Sequence, residues 1–242
     1  MKHWSTLVVT IVLLQGCATM SVDECAIADW RALGIEDGSK GETLAKAAKR
    51  GEACAKHGYA IDRSAYDIGR FEGLGLFCTA STGYGLGERG KGYNGVCTDH
   101  NEAAFLDAYN RGREMYTFTA SVSTAKSELD SVKGRHNELD SKLNKYWGGY
   151  RDEGMTTDEH NTMVLGLWAE RKYLREEAIP YWNYAHQYLG EQLDAYRAKV
   201  NAGDPAIGSL QPRSFPGPER YTGPTKQDAQ EMLREVFSSL EK

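Results

Sequence analysis

The residues in this sequence best placed to do chemistry are its five cysteines. In an oxidising compartment an odd number of thiols leaves one without a partner. The setting of Cys17 picks out the odd one. Lys2 supplies a short positive region, Leu7 to Leu14 form an eight-residue apolar run, and Gln15 and Gly16 lead into the cysteine. Such a run suits the core of a signal peptide and falls far short of the roughly 20 residues a spanning helix needs. Leu three places before a cysteine and a small residue directly before it form the pattern a lipoprotein signal peptidase cuts, although Gln15 is a less usual residue between them. The chemistry expected at Cys17 is therefore lipidation, with acyl chains such as palmitate, after removal of residues 1–16. Ala18 rather than Asp follows the anchor, the pattern of a lipoprotein sorted to the outer membrane and facing the periplasm, with exposure at the cell surface left open.

The other four, Cys25, Cys54, Cys78 and Cys97, are then an even set, and two disulfides are the default. Three connectivities exist, and the sequential one, Cys25 to Cys54 and Cys78 to Cys97, is favoured because each bridge closes a short loop. Each would stabilise by about 3 kcal/mol through the unfolded chain. A zinc site is the rival use of these thiols, but no CxxC or close Cys/His spacing supports one. No metal and no cofactor is expected.

Other strings imitate chemistry. Gly85-Leu86-Gly87-Glu88-Arg89-Gly90-Lys91 fits the start of a phosphate-binding loop, but Gly92 stands where a magnesium-binding hydroxyl belongs and no strand precedes it. Its neighbourhood, with six glycines from 83 to 95, reads instead as a flexible loop closed by Cys78 and Cys97. The mature histidines show no HExxH and no ligand spacing, and Asp99, His100 and Glu102 suit a helix start better than an acid/base pair. No GxSxG is present, so nucleophilic catalysis has no candidate and the chain is expected not to be an enzyme. Ten of the nineteen Tyr and Trp residues fall between 146 and 196. Tyr173, Trp182 and Tyr184 lie off the expected helical stripe, so they are candidates for contact with a glycan or a protein partner, with self-packing the favoured use.

The elements that must position these residues are helical. A net charge of −5 and pI near 5.7 argue against nucleic acid, which needs clustered Lys and Arg. After the signal segment 1–16 and a lipidated tether over 17–24, residues 25–100 hold four cysteines and 14 of the 26 glycines and read as a compact Cys/Gly-rich helical core. Over 101–200, Val122, Ala125, Leu129, Val132, His136, Leu139, Leu143 and Tyr146 repeat at alternating threes and fours, a coiled-coil seam. Gly148, Gly149 and Gly154 break the helix, and Thr156 with Glu159 forms a capping box for the next. That second helix repeats Val164, Leu167, Arg171, Leu174, Ala178, Tyr181, Ala185 and Tyr188, then shifts register to Leu189, Leu193, Tyr196 and Val200, with Pro180 expected to kink it. Helices over 102–148 and 157–200 predict an antiparallel hairpin. Residues 201–224 carry five of the six prolines, including Pro205, and read as an extended linker. Over 225–242, Thr225 and Asp228 cap an amphipathic helix whose stripe is Ala229, Met232, Leu233, Val236, Phe237 and Leu240. The fold class is all-α: a disulfide-stapled helical core, a long coiled-coil-like hairpin and a C-terminal helix that must dock.

Within the core an aromatic-to-glycine theme recurs, Trp30 with Gly34 and Gly38, Tyr66 with Gly69 and Gly73, Tyr109 with Gly112, best explained by helices packed closely through small residues. The run Cys17 to Ser21, Asp29-Trp30 with Gly34 and Glu36-Asp37-Gly38, Tyr66 through Gly69-Arg70, Gly73-Leu74 and Cys78, and Tyr93 to Cys97 together resemble bacterial envelope lipoproteins of the YfiL type. That family is catalogued as a domain of unknown function, and the resemblance covers roughly residues 17–115. It implies an envelope lipoprotein with a Cys-containing helical core and no assigned activity. The expected function is a non-enzymatic structural or interaction component of the cell envelope. Its partners would be the membrane through the anchor and a second copy or another envelope protein. The alternative is a peptidoglycan- or glycan-binding module.

Overall fold

The computed structural model describes residues 20–203 and 210–240, so the expected signal segment, Cys17, Pro205 and the side chains of Val236, Phe237 and Leu240 lie outside the described residues. Among the described residues all regular structure is helical: α1 Val22–Ala26, α2 Trp30–Ser39, α3 Leu44–Ala55, α4 Arg63–Phe77, α5 Ala80–Glu88, α6 Glu102–Trp147, α7 Thr157–Tyr173, a π turn Leu174–Ala178, α8 Ile179–Ala202 and α9 Lys226–Leu240. The chain divides into two compact units, Met1–Leu86 with Lys91–Tyr109 and Gly87–Gly90 with Asn110–Lys242.

In the first unit, Asp29 and Asp62 start α2 and α4 by accepting hydrogen bonds from the amides of Ala32 and Ala65. These two helices touch through their backbones. A Cβ on Gly34 would lie 2.2 Å from the Tyr66 carbonyl oxygen, on Gly38 2.4 Å from that of Arg70, on Gly69 2.0 Å from that of Arg31 and on Gly73 2.2 Å from that of Ile35. Four glycines in two GxxxG pairs thus interlock, which is the close packing the aromatic-to-glycine theme predicts. Each glycine inside a helix costs roughly 0.5–1 kcal/mol against Ala, and the intimate contact offsets that cost. The aromatics of the theme fill the space beside the interface. Trp30 and Tyr66 are buried with Ala47 and the Cys25–Cys54 bridge, which joins α1 to α3. The second bridge, Cys78–Cys97, sits in a separate cluster with Leu74 and Phe105. The pairing is the sequential one.

Two expectations for this unit need correction. Half of the glycine-rich stretch 83–95 is helix, because α5 continues through Gly83, Gly85 and Gly87. Gly83 is there for proximity and not for flexibility: its Cβ would meet the Phe105 carbonyl oxygen at 2.4 Å. The start of α6 is served by Asn101, whose side-chain oxygen accepts from the Ala104 amide, and not by Asp99 or His100. Glu102 instead accepts from the Tyr93 hydroxyl at 2.8 Å.

In the second unit, α6 runs antiparallel to α7 and α8. Leu143 packs with Val164 and Trp168, Leu139 with Leu174 and Ala178, Ala125 and Leu129 with Trp182, Ala185 and Leu189, and Met115 and Phe118 with Leu193 and Tyr196. Residue numbers rise on one side as they fall on the other. Arg135 forks onto Glu170 at 2.7 and 2.8 Å, Arg171 reaches Asp140 at 3.0 Å, and the Tyr196 hydroxyl donates to the buried Glu114 at 2.8 Å. His136 keeps its place on the seam, 3.4 Å from Asp140. Thr156 and Glu159 form the expected capping box.

The register of the second helix differs from the sequence reading. Its shift comes not at Leu189 but at the π turn, where the Ile179 amide donates to the Leu174 carbonyl five residues back. Pro180 has no amide to bond the turn behind it, and the wide turn absorbs the missing bond as an extra residue. Leu174, Ala178 and Trp182 therefore follow each other at fours, and Trp182 rather than Tyr181 points into the seam.

The proline-rich segment is extended from 210 to 225, as its prolines require, but it is not a free linker. Leu210 joins the cluster of Leu193 and Tyr196, Phe215 that of Trp182 and Leu189, and Tyr221 that of Trp168. The chain returns along α8 and α7 as a packed strap and delivers α9 to α7, where Met232 meets the Trp168 cluster.

Candidate functional site

The strap and the helix it follows enclose a groove of about 710 Å³, within the usual range for a small-molecule site. One wall is the end of α7 and the π turn, with Lys172, Tyr173, Glu176 and Glu177, continued by Tyr181 of α8. The other wall is the strap from Gly217 to Thr225, with Glu219, Arg220 and Tyr221, closed by Asp228 at the start of α9.

Local sequence explains why the strap holds this path. Phe215 inserts among Tyr181, Tyr184 and Tyr188, with ring centroids 5.9–6.1 Å apart. Gly217 then turns with φ of 106°, a left-handed conformation costly for any residue with a Cβ, and its amide donates to the Tyr181 hydroxyl at 3.2 Å. The Tyr173 hydroxyl donates to the Glu219 carbonyl, and its ring lies 5.5 Å from that of Tyr221. Beyond the groove, Thr225 and Asp228 cap α9 reciprocally, as the sequence predicts. Lys172 binds Asp228 at 3.3 Å and also Glu231, so α9 is tied to α7 by a partly buried ion pair.

The electrostatics of the groove are negative. Burial first, then the charges of Glu177 and Glu219, raises the Tyr173 hydroxyl above its ordinary value. Burial, then Glu170 and Asp228, does the same at Tyr221. The Tyr221 hydroxyl is buried and has no hydrogen-bond partner among the described residues. Lys172 is held above the usual ammonium value, by Glu231 first, against burial and with help from Asp228.

Of the three aromatics read as candidates for glycan or partner contact, with self-packing the favoured use, the structure leaves one well exposed. Trp182 is 8% exposed in the hairpin seam, because the π turn rotates it inward, and Tyr173 is engaged by the strap. Tyr184 stays 53% exposed beside Phe215. Trp182 is therefore spent on self-packing, whereas Tyr173 holds the strap and also lines the groove. The spacing puts Tyr181 on the seam rather than in a site, and it marks Glu177, Glu219 and Tyr221 in no way. The available signal was Phe215 and Tyr221 inside the proline-rich stretch, since a free linker has no use for large aromatics.

A second cluster of titratable groups lies in the first unit. Asp37, only 1% exposed, receives the Arg50 fork at 2.8 and 2.9 Å and the Tyr66 hydroxyl at 2.9 Å. Burial, then the bond to Asp37, pushes the Tyr66 hydroxyl strongly upward, and the same carboxylate raises Arg50 against the cost of its burial. Every oxygen of this carboxylate is occupied by a group from a neighbouring helix. Its work is to hold α2, α3 and α4 together.

A family match falls mostly on the first unit. Residues 29–114 match the family model described as a protein of unknown function (DUF2799). The matched segment is less than half of the chain, begins at the Asp29 cap of α2 and contains the interlocked glycines, Asp37 and the second disulfide. It agrees with the resemblance over roughly 17–115 to a family without assigned activity. The groove lies beyond it. No curated protein and no solved structure matches the chain.

Proposed function

We propose that this chain is a lipid-anchored, non-enzymatic component of the bacterial outer membrane. Its stapled first unit follows the anchor and its hairpin-and-strap unit makes the contacts. The observation that carries the envelope address is the pair of closed disulfides, a state kept in oxidising compartments and rare in a reducing cytoplasm. The pattern from Leu7 to Cys17 supports the same address. An interaction role is supported by how the ionisable groups are used. Asp37 with Arg50, Arg135 with Glu170 and Lys172 with Asp228 each join separate helices, while the strap builds a groove open to a ligand. Partners would reach the second unit from the periplasm, either another envelope protein or a second copy of this chain.

Fractionation of cells producing the native chain and Cys17→Ser tests this reading. The native chain should partition with outer membranes and carry a diacylglyceryl mass on its N-terminal cysteine. The Cys17→Ser chain should accumulate unprocessed and without lipid. Equal processing of both chains would overturn the anchor.

A further inference from the structure

We propose that the groove between the π turn and the strap binds an alkylammonium ion, with tyrosine rings around its carbon body and the Glu177 and Glu219 carboxylates facing its charge. The inference deepens the interaction role and rests on that reading for its setting, but it concerns a site that can be measured apart from the membrane anchor.

The lining selects by charge. Four carboxylates, Glu176, Glu177, Glu219 and Asp228, share the groove with two cations, Lys172 and Arg220. Lys172 is already neutralised by Asp228 and Glu231, and Glu176 holds Arg175 at 2.8 Å. Glu177 and Glu219 have no ion-pair partner among the described residues, come from opposite walls, and both act on the Tyr173 hydroxyl. Against them stands the exposed Arg220, so the unpaired lining keeps a net charge of −1. An anion would still enter against this field, and a neutral sugar would leave that charge unanswered. A cation answers it.

The lining also selects by shape. Tyr173, Tyr181 and Tyr221 present rings from both walls. Aromatic faces attract organic cations through the ring quadrupole, and their apolar area covers the methylenes of an alkyl chain. Tyr221 contributes its ring alone, because its hydroxyl oxygen is buried out of reach of a ligand in the groove. The free source of this chemistry is a small polyamine, and the bound source is a lysine side chain of a partner protein.

The test is calorimetric titration of the full chain, purified from membranes in neutral detergent. The probes are spermidine, Nα-acetyl-lysine amide and, as the uncharged comparison, an N-acetylglucosamine disaccharide. Saturable binding of spermidine or of the lysine amide supports the proposal. Spermidine alone would indicate a free polyamine, and the lysine amide alone a partner's side chain. Glu177→Gln with Glu219→Gln should weaken binding about tenfold, since each carboxylate lines the groove at an exposed position, where a single charge contact contributes modestly. Tyr221→Phe, which keeps the ring and removes only a hydroxyl shielded from the groove, should bind as the parent does. The Tm of each variant should stay within a degree or two of the parent, which separates a ligand contact from a structural one. No binding of either ammonium probe, equal binding by the double Gln variant, or tighter binding of the disaccharide would each overturn the proposal. None of these results bears on lipidation at Cys17, which fractionation decides separately.

Discussion

The two units hold themselves together by opposite means. In the first, helices meet backbone to backbone through Gly34, Gly38, Gly69 and Gly73, two disulfides staple the chain, and a buried carboxylate ties three helices. In the second, helices meet through a long side-chain seam, with ion pairs such as Arg135–Glu170 at its edge, where Arg135 is 39% exposed. The first unit has contacts at distances where a methyl group does not fit. The second spreads its stability over many contacts of moderate size. Substitution, reduction and loss of charge should all strike the first unit harder.

The largest contrast is expected at glycine. Gly69→Ala places a methyl 2.0 Å from the Arg31 carbonyl oxygen, so α2 and α4 must part along their whole contact. The loss should exceed about 4 kcal/mol, enough to unfold the first unit. Gly166→Ala and Gly190→Ala in α7 and α8 meet nothing within 4 Å and should stabilise the second unit by about 0.5–1 kcal/mol each, through helix propensity. Circular dichroism melts of the three variants check both signs. A Gly69→Ala chain that melts like the parent would remove the interlocked backbone from this account.

Next in size is the buried charge. Asp37→Ala leaves the Arg50 guanidinium and the Tyr66 hydroxyl facing each other with no acceptor, at a cost of about 3–5 kcal/mol. Glu170→Ala removes one of two acidic partners of Arg135, in a pair that solvent reaches and with Glu138 still in place, and should cost no more than about 1 kcal/mol. Urea midpoints of the two variants compare them directly. Reduction follows closely, because each bridge stabilises by about 3 kcal/mol and both lie in the first unit. Under dithiothreitol, amide exchange should rise across α2 and α4 while α7 and α8 keep their protection. Uniform exchange would show that the units do not unfold separately.

How much of this was legible beforehand follows from the same contrast. The seam of α6 reads directly from the sequence because a helix repeats its inward face every three or four residues, and Leu129, Leu139 and Leu143 fall there as the spacing predicts. The sequential cysteine pairing and the Thr156 and Thr225 caps are also local patterns. Helix α5 was missed because glycine signals a loop when its neighbour cannot be seen, and the reason for Gly83 is the distant Phe105 carbonyl. Trp182 was placed off the stripe because the π turn before it has no periodicity of its own. The groove was hidden for the same reason twice over, since strap residues such as Glu219 meet Tyr173 of α7 from 46 positions further along the chain. Short-range periodicity is written in the sequence, whereas a nonlocal backbone contact is written only in the residue it excludes.

The smallest effect belongs to the ion pair that docks α9. Burial works against the Asp228 carboxylate, but the Thr225 hydroxyl and amide and the Lys172 ammonium outweigh it, and its pKa lies below the ordinary 3.8. A depressed carboxylate contributes stability that is present above its ordinary value and lost as pH falls through the folded one. Lys172 lies on the other side. Its pKa is raised above 10.5, so its contribution is complete below that value and disappears as pH rises through the folded one. Docking of α9 should therefore be level between these limits and weaken at both ends, by about 1 kcal/mol for a pair only partly buried. Trp168 reports on it, because its ring lies 5.6 Å from the Lys172 ammonium, and a variant keeping it as the sole tryptophan allows its fluorescence to be followed against pH. Lys172→Met should abolish the alkaline change and keep the acid one, since Thr225 still holds the Asp228 charge. If both limbs vanish together, the Thr225 cap contributes nothing apart from the lysine, and α9 is held by Met232 and its apolar neighbours alone.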